Sequence, residues 1–328
     1  MQLWAAEANI PESRLKNFQP LPAFINNPRN PVTEEKIQLG RMLYYDPRLS
    51  ANQSISCNSC HDLARYGADT GRVSIGFKGQ AGARNSPTVY NAAGHLAQFW
   101  DGRAADVEAQ AKGPVMNPVE MAMSSQERVI ATVNSMPDYV ALFAKAFPND
   151  PNPVTFDNLA SAIGIFERGL VTPARWDKFL QRDTSALSSA EKAGFNKFFE
   201  SGCASCHTGT YLGGSQYQRL GLIKAWPETH DPGRYAVTGK EVDKNVFKVP
   251  ALRNIEKTGP YYHDGSVATL SEAIRLMGEY QVGKMLNQED VKSIEVFLKS
   301  LTGDIPAEYV KSPVLPKSTA GTPKPMGN

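Results

Sequence analysis

Two copies of one five-residue motif constrain this chain more than any other feature. Cys57-Asn58-Ser59-Cys60-His61 and Cys203-Ala204-Ser205-Cys206-His207 use all four of its cysteines. C-x-x-C-H is the attachment signature of c-type haem. Two thiols add to the two vinyl groups of one porphyrin, the intervening residues set their separation, and the adjacent histidine lies under the iron as proximal ligand. A thioredoxin-like redox pair needs no following histidine, and the βαβ pattern that would frame one is not visible. A zinc site can draw on two C-x-x-C pairs, but these pairs lie far apart and each is followed at once by histidine. The motifs predict two covalently bound haem c groups, one on Cys57, Cys60 and His61, the other on Cys203, Cys206 and His207. Haem c attachment implies export, which points to the periplasm or an equivalent space.

The 328 residues are enough for two ordinary domains. A net charge of +2, without a basic run, argues against a nucleic-acid partner. No stretch approaches 18 uninterrupted apolar residues, so no membrane span is expected. The opening Met1-Gln2-Leu3-Trp4-Ala5-Ala6 lacks a basic region followed by an apolar run and does not read as a signal peptide.

Helix signals recur around both motifs. Ser188 and Glu191 form a capping box that opens a helix carrying Phe195, Phe198 and Phe199 and stopping at Gly202, directly before the second motif. Thr269 and Glu272 form another, opening a helix through Ala273 and Leu276. Val291, Ile294, Phe297, Leu298 and Leu301 give one apolar face to a helix from about Gln288 to Leu301. In the first half, Thr33 precedes Glu34 and Glu35, acids suited to a first turn, with Ile37, Leu39, Met42 and Leu43 behind them. Ser125 caps a helix through Val129, Ile130 and Val133, and Phe156, Leu159, Ile163 and Phe166 share a helical face. The expected fold is mainly α, two cytochrome c-type haem domains with long irregular loops. The boundary is expected near Val171-Thr172-Pro173, with an N-terminal haem domain over 1–170, a C-terminal one over 171–305 and an extended tail over 306–328.

Each iron has a sixth position, and its occupant separates electron transfer from chemistry. Methionine opposite histidine raises the reduction potential and closes the iron to small ligands. Met277, before Gly278 near the end of a predicted helix, is the candidate in the second half. Against it stands the commoner fate of methionine, which is core filling. The first half offers Met116, Met121, Met123, Met136 and His95, none favoured by spacing. Glu120, in the proline-bounded Asn117-Pro118-Val119-Glu120-Met121, can move a proton between two peroxide oxygens and help the O–O bond break. A surface glutamate is the plainer alternative. Trp100, in Phe99-Trp100-Asp101-Gly102-Arg103, is either packing or an electron relay.

The chain resembles the bacterial di-haem cytochrome c peroxidases. The likeness runs from about Leu39 to Thr302. It includes Leu43-Tyr44-Tyr45-Asp46-Pro47-Arg48-Leu49-Ser50, Ala97-Gln98-Phe99-Trp100-Asp101-Gly102-Arg103, Asn245-Val246-Phe247-Lys248-Val249-Pro250 and Tyr262-His263-Asp264-Gly265, in order with both motifs. The resemblance implies that the His207/Met277 haem is the high-potential one and receives electrons from a small c-type cytochrome or a copper protein. It implies that the His61 haem is the low-potential site where hydrogen peroxide is reduced to water. It further implies that Glu120 is the catalytic glutamate and Trp100 the tryptophan between the haems. Asn85, with the backbone carbonyls of Thr258 and Pro260, would hold an interdomain calcium ion, a ligand set that suits a hard cation. The family usually forms homodimers.

One position departs from the family. Ser-Ile-Gly is followed in many members by a histidine that blocks the peroxidatic iron in the oxidised state. Here Phe77 follows Ser74-Ile75-Gly76, and a phenyl ring has no lone pair for iron. An open first iron is the implied consequence. A pure electron carrier would need both irons closed, and the first half offers no clear sixth ligand. The related di-haem enzyme that matures the quinone cofactor of methylamine dehydrogenase carries a tyrosine where Met277 stands.

Overall fold

The computed structural model describes residues 8–228 and 230–327, so the opening Met1-to-Ala6 string lies outside them. Regular structure is mainly helical. Among the described residues the one sheet is an antiparallel pair, β1 (Tyr217–Arg219) and β2 (Val246–Lys248), with Gln218 opposite Phe247.

The chain forms two compact units, neither of them contiguous in sequence. Of the described residues, the first-motif unit holds 23–94, 104–171 and 305–327; the second-motif unit holds 8–22, 95–103, 172–228 and 230–304. One change of unit falls after Val171, and three segments lie apart in sequence from the rest of their unit. The causes are local. Residues 8–22 join the second-motif unit because the Phe18 ring meets Trp176 and Phe195 edge to face, at 5.7 and 5.4 Å. The Leu21 N–H also donates to Asp177 Oδ1 at 2.7 Å. Residues 95–103 join it through Leu96 N–H to the Gly214 carbonyl, 2.8 Å, and Lys248 N–H to the Trp100 carbonyl, 2.8 Å. The tail joins the first-motif unit. Tyr309 stacks on Phe166 with ring centroids 5.2 Å apart, and Met326 N–H donates to the Ala51 carbonyl.

In the first-motif unit the longer helices are α1 (Glu34–Tyr45), α2 (Val107–Met116), α3 (Gln126–Asn134), α4 (Pro137–Ala146) and α5 (Phe156–Arg168). Thr33 and Ser125 cap α1 and α3 by accepting from Lys36 N–H and Arg128 N–H, as their sequences predict. Leu39, Leu43 and Tyr44 of α1 pack with Ile163 and Phe166 of α5 in one buried cluster. A Cβ at Gly40 would stand 1.9 Å from the Ala162 carbonyl oxygen, so α1 and α5 touch backbone to backbone.

The second-motif unit contains α6 (Arg175–Leu180), α7 (Ser189–Glu200), α8 (Leu270–Leu276) and α9 (Gln288–Lys299). The Ser188/Glu191 capping box forms as expected. Gly194 of α7 repeats the device of Gly40, since a Cβ there would lie 2.2 Å from the Ser293 carbonyl oxygen of α9. Around this contact Trp176, Phe195, Phe198, Ile294 and Phe297 make the core. Helix α9 stops two residues before the expected Leu301. Its last turn tightens there, with Leu301 N–H bonded to the Leu298 carbonyl.

Candidate haem sites and the glutamate turn

Each C-x-x-C-H string folds into a single helical turn, α over Cys57–Cys60 and 3₁₀ over Cys203–Ser205. In both, the histidine N–H closes the turn onto the carbonyl of the first cysteine, His61 to Cys57 and His207 to Cys203, each at 3.0 Å. The two turns therefore present two free thiols and one histidine in the same local arrangement. His207 Nδ1 lies 3.2 Å from the Leu212 carbonyl. A carbonyl only accepts, so Nδ1 carries the proton and Nε2 keeps its lone pair for a metal. Around His61 the Gly67 and Pro87 carbonyls stand near, although buried Nδ1 closes no well-formed hydrogen bond. The Tyr44 hydroxyl fixes the His61 backbone by donating to its carbonyl at 2.8 Å. Burial lowers the pKa of His61, and that of His207 to about 4. Both imidazoles are thus neutral, the form that binds iron. Paired thiols with a neutral imidazole fit the donor set of a c-type haem.

Met277 opens a six-residue π-type turn, Met277–Val282, directly after α8. It is half-buried and packs against the cluster of Trp226, Tyr261, Tyr262 and Val267. The Tyr280 carbonyl of this turn accepts from both Ile223 N–H and Lys224 N–H at 3.1 Å, which ties it to the loop after β1.

Glu120 follows α2 in a tight turn. Asn117 Nδ2 donates to Glu120 Oε1 at 2.8 Å, and Glu120 N–H returns to the Asn117 carbonyl at 3.0 Å. Phe77 N–H donates to the carbonyls of both Val119 and Glu120, at 3.1 and 2.8 Å. Gln80 Nε2 adds a bond to the Pro118 carbonyl. The Phe77 ring is half-buried on the same cluster that takes Cys57 and Met116. The structure thus brings together two features that the sequence shows separately, the non-ligating phenyl and the glutamate. Asn117 has no role in the sequence reading, although an asparagine before proline, three residues ahead of the glutamate, is a turn signal.

Trp100 lies in the second-motif unit, half-buried, edge-on to the His263 ring at 6.4 Å. His95 lies there too, not with the first motif, and its Nδ1 is 3.3 Å from Lys248 Nζ. Of the expected calcium ligands, Asn85 is buried in the first-motif unit and donates through Nδ2 to the Gly71 and Arg72 carbonyls. Thr258 and Pro260 belong to the second-motif unit. No helix among the described residues is long and apolar enough to cross a membrane.

Residues 34–185 match the family model of the di-haem cytochrome c peroxidases. The chain belongs to that family, and with it to the oxidoreductases built around two c-type haems. Among its relatives is cytochrome c551 peroxidase of Nitrosomonas europaea, 50% identical over 297 residues, which span 90% of this chain and 87% of that one. Cytochrome c551 peroxidase of Pseudomonas aeruginosa is 45% identical over 315 residues, 94% of this chain and 90% of that one. Among solved structures, a MauG-like protein associated with microbial copper homeostasis superposes with a TM-score of 0.81 at 31% identity, covering 89% of this chain and 97% of that one.

Proposed function

We propose that the protein reduces hydrogen peroxide to water with electrons from a small c-type cytochrome or a copper protein. We place it in the periplasm, as a homodimer with a calcium ion held by Asn85 and the carbonyls of Thr258 and Pro260. The observation that carries the peroxidase reading is the fastening of Phe77 to the Val119–Glu120 backbone. A side chain that cannot bind iron is held against the turn of a carboxylate that can move protons.

A c-type haem, when bound, supplies an iron that exchanges single electrons and, where its sixth position is open, accepts small oxygen ligands. His61 would hold one such group with Cys57 and Cys60, and His207 would hold the other with Cys203 and Cys206. Met277 would complete the donor set of the second site, where thioether ligation suits electron transfer. Trp100 would carry electrons onward. Asn117 fixes Glu120 Oε1, so the carboxylate meets peroxide in a set orientation. Glu120 would take a proton from one peroxide oxygen and give it to the other, which would leave as the first water when the O–O bond breaks; two donor electrons and two protons from solvent would turn the remaining oxygen into the second.

Stopped-flow mixing with peroxide and steady-state oxidation of a reduced small cytochrome c test this. Glu120→Gln should slow O–O cleavage by about 10²–10⁴-fold while both haems stay attached. Wild-type turnover in that variant would remove Glu120 from the mechanism. A wild-type protein that turned over peroxide with neither class of donor would overturn the proposal.

A further inference from the structure

We infer that Lys248, backed by His95, anchors a propionate of the haem attached at Cys203 and Cys206. The inference rests on haem attachment at the second motif, and its starting point is an unbalanced charge. Lys248 lies on β2 and is 7% exposed. A buried ammonium is costly unless an anion faces it. Three buried arginines have theirs: Arg48 on Asp46, Arg168 on Glu108 and Arg253 on Asp177. Lys248 Nζ instead donates to the Ala97 carbonyl at 2.9 Å and points at His95 Nδ1 at 3.3 Å. Among the described residues it makes no ion pair with a carboxylate. Asp101 acts on it through space, while the Asp101 carboxylate is held by Arg103 Nη1 at 3.1 and 3.0 Å.

An ammonium has three N–H donors and no acceptor. Two of the three on Lys248 are used, and the second makes His95 Nδ1 an acceptor. The His95 proton therefore sits on Nε2, which is buried and has no partner. Two neighbouring side chains are left with unmet donors, one of them carrying a full charge. A carboxylate, with two oxygens, satisfies both.

The position of the pair identifies which carboxylate. The His95 ring lies over Gly214, where a Cβ would come within 2.4 Å of it, and edge-on to Tyr211 at 5.5 Å. Tyr211 and Gly214 flank Leu212, whose carbonyl takes the proton of His207 Nδ1. The pair thus rests on the proximal histidine's own loop, and the acids this loop lacks are those a haem brings with it. Burial pulls Lys248 down to about 8 against the opposing charge of Asp101, and burial together with the Lys248 charge takes His95 well below its usual value. A propionate at hand would keep the ammonium charged.

A fixed cation beside a propionate favours the reduced haem, which carries one positive charge fewer. In the holoprotein, Lys248→Met should lower the ferrous-to-ferric ratio of the second haem at a given potential about tenfold, ~59 mV for one electron. The first haem should be unmoved, and Lys248→Arg should keep most of the effect. Resonance Raman should show altered propionate bending bands in the Met variant. Haem stoichiometry is measured alongside, so that loss of the cofactor is distinguished from loss of the anchor. Two haems, native circular dichroism and an unchanged potential and Raman spectrum would overturn the assignment. If Lys248→Met does not fold, His95→Phe takes its place. Shifted bending bands in it would support the anchor, and unshifted bands would sink it.

Discussion

Position 77 carries a phenylalanine, whose ring has no lone pair to offer the proposed first haem. Its N–H is spent on the Val119 and Glu120 carbonyls, so the ring is held by the backbone as well as by packing. The oxidised holoprotein should therefore show one high-spin haem by electron paramagnetic resonance and react with peroxide without prior reduction. Phe77→His should turn that haem low-spin and make turnover depend on pre-reduction. Two low-spin haems in the parent would rule out the open site. His95, which the sequence left as a rival ligand, is engaged by Lys248 and Tyr211 in the second-motif unit. The motifs made the thiols, both histidines, Glu120 and Phe77 legible as separate features. The bond joining Phe77 to Glu120 was not legible, because a main-chain hydrogen bond between distant segments leaves no mark in side-chain pattern. Lys248 was hidden for a similar reason, since charge in a sequence says nothing of burial.

Helices were the most readable elements, because caps and apolar spacing are local. Thr33, Ser125, Ser188 and Thr269 all cap where their spacing placed them. The π-type turn at Met277–Val282 was not readable, as a wider turn uses the same residue types as an ordinary one. Nor was the role of Gly40 and Gly194, which a propensity argument counts only as weak points in a helix. At Gly194 a side chain must displace the Ser293 carbonyl of α9. Gly194→Val should cost about 1–3 kcal/mol through overpacking. The urea midpoint of the holoprotein measures it, and an unmoved midpoint would mean that α7 and α9 separate freely.

Stability of the whole molecule should carry the signature of one buried acid. Glu167 of α5 is 5% exposed, and burial raises its pKa to about 8, with Glu108 adding and Arg168 opposing. The folded protein holds this proton after the unfolded chain has released it. Stability contributed at this site is thus full below the unfolded value near 4.5 and declines as pH rises to about 8. Glu167→Gln should flatten that decline in denaturant titrations between pH 5 and 8; an unchanged slope would assign it to other groups. The two-haem plan was legible at this scale from cysteine arithmetic alone. The membership of residues 8–22, 95–103 and 305–327 was not, because it depends on long-range partners such as Asp177 for Leu21 and Phe166 for Tyr309.

The order of synthesis is therefore not the order of completion. The first motif emerges early from a ribosome, yet the unit around it lacks Tyr309 and Met326 until the tail is made. The second-motif unit has all its parts once Asp304 has emerged, and so is the earlier of the two to be whole. A cut at Val171 would free neither, since each piece would carry away segments of the other's unit.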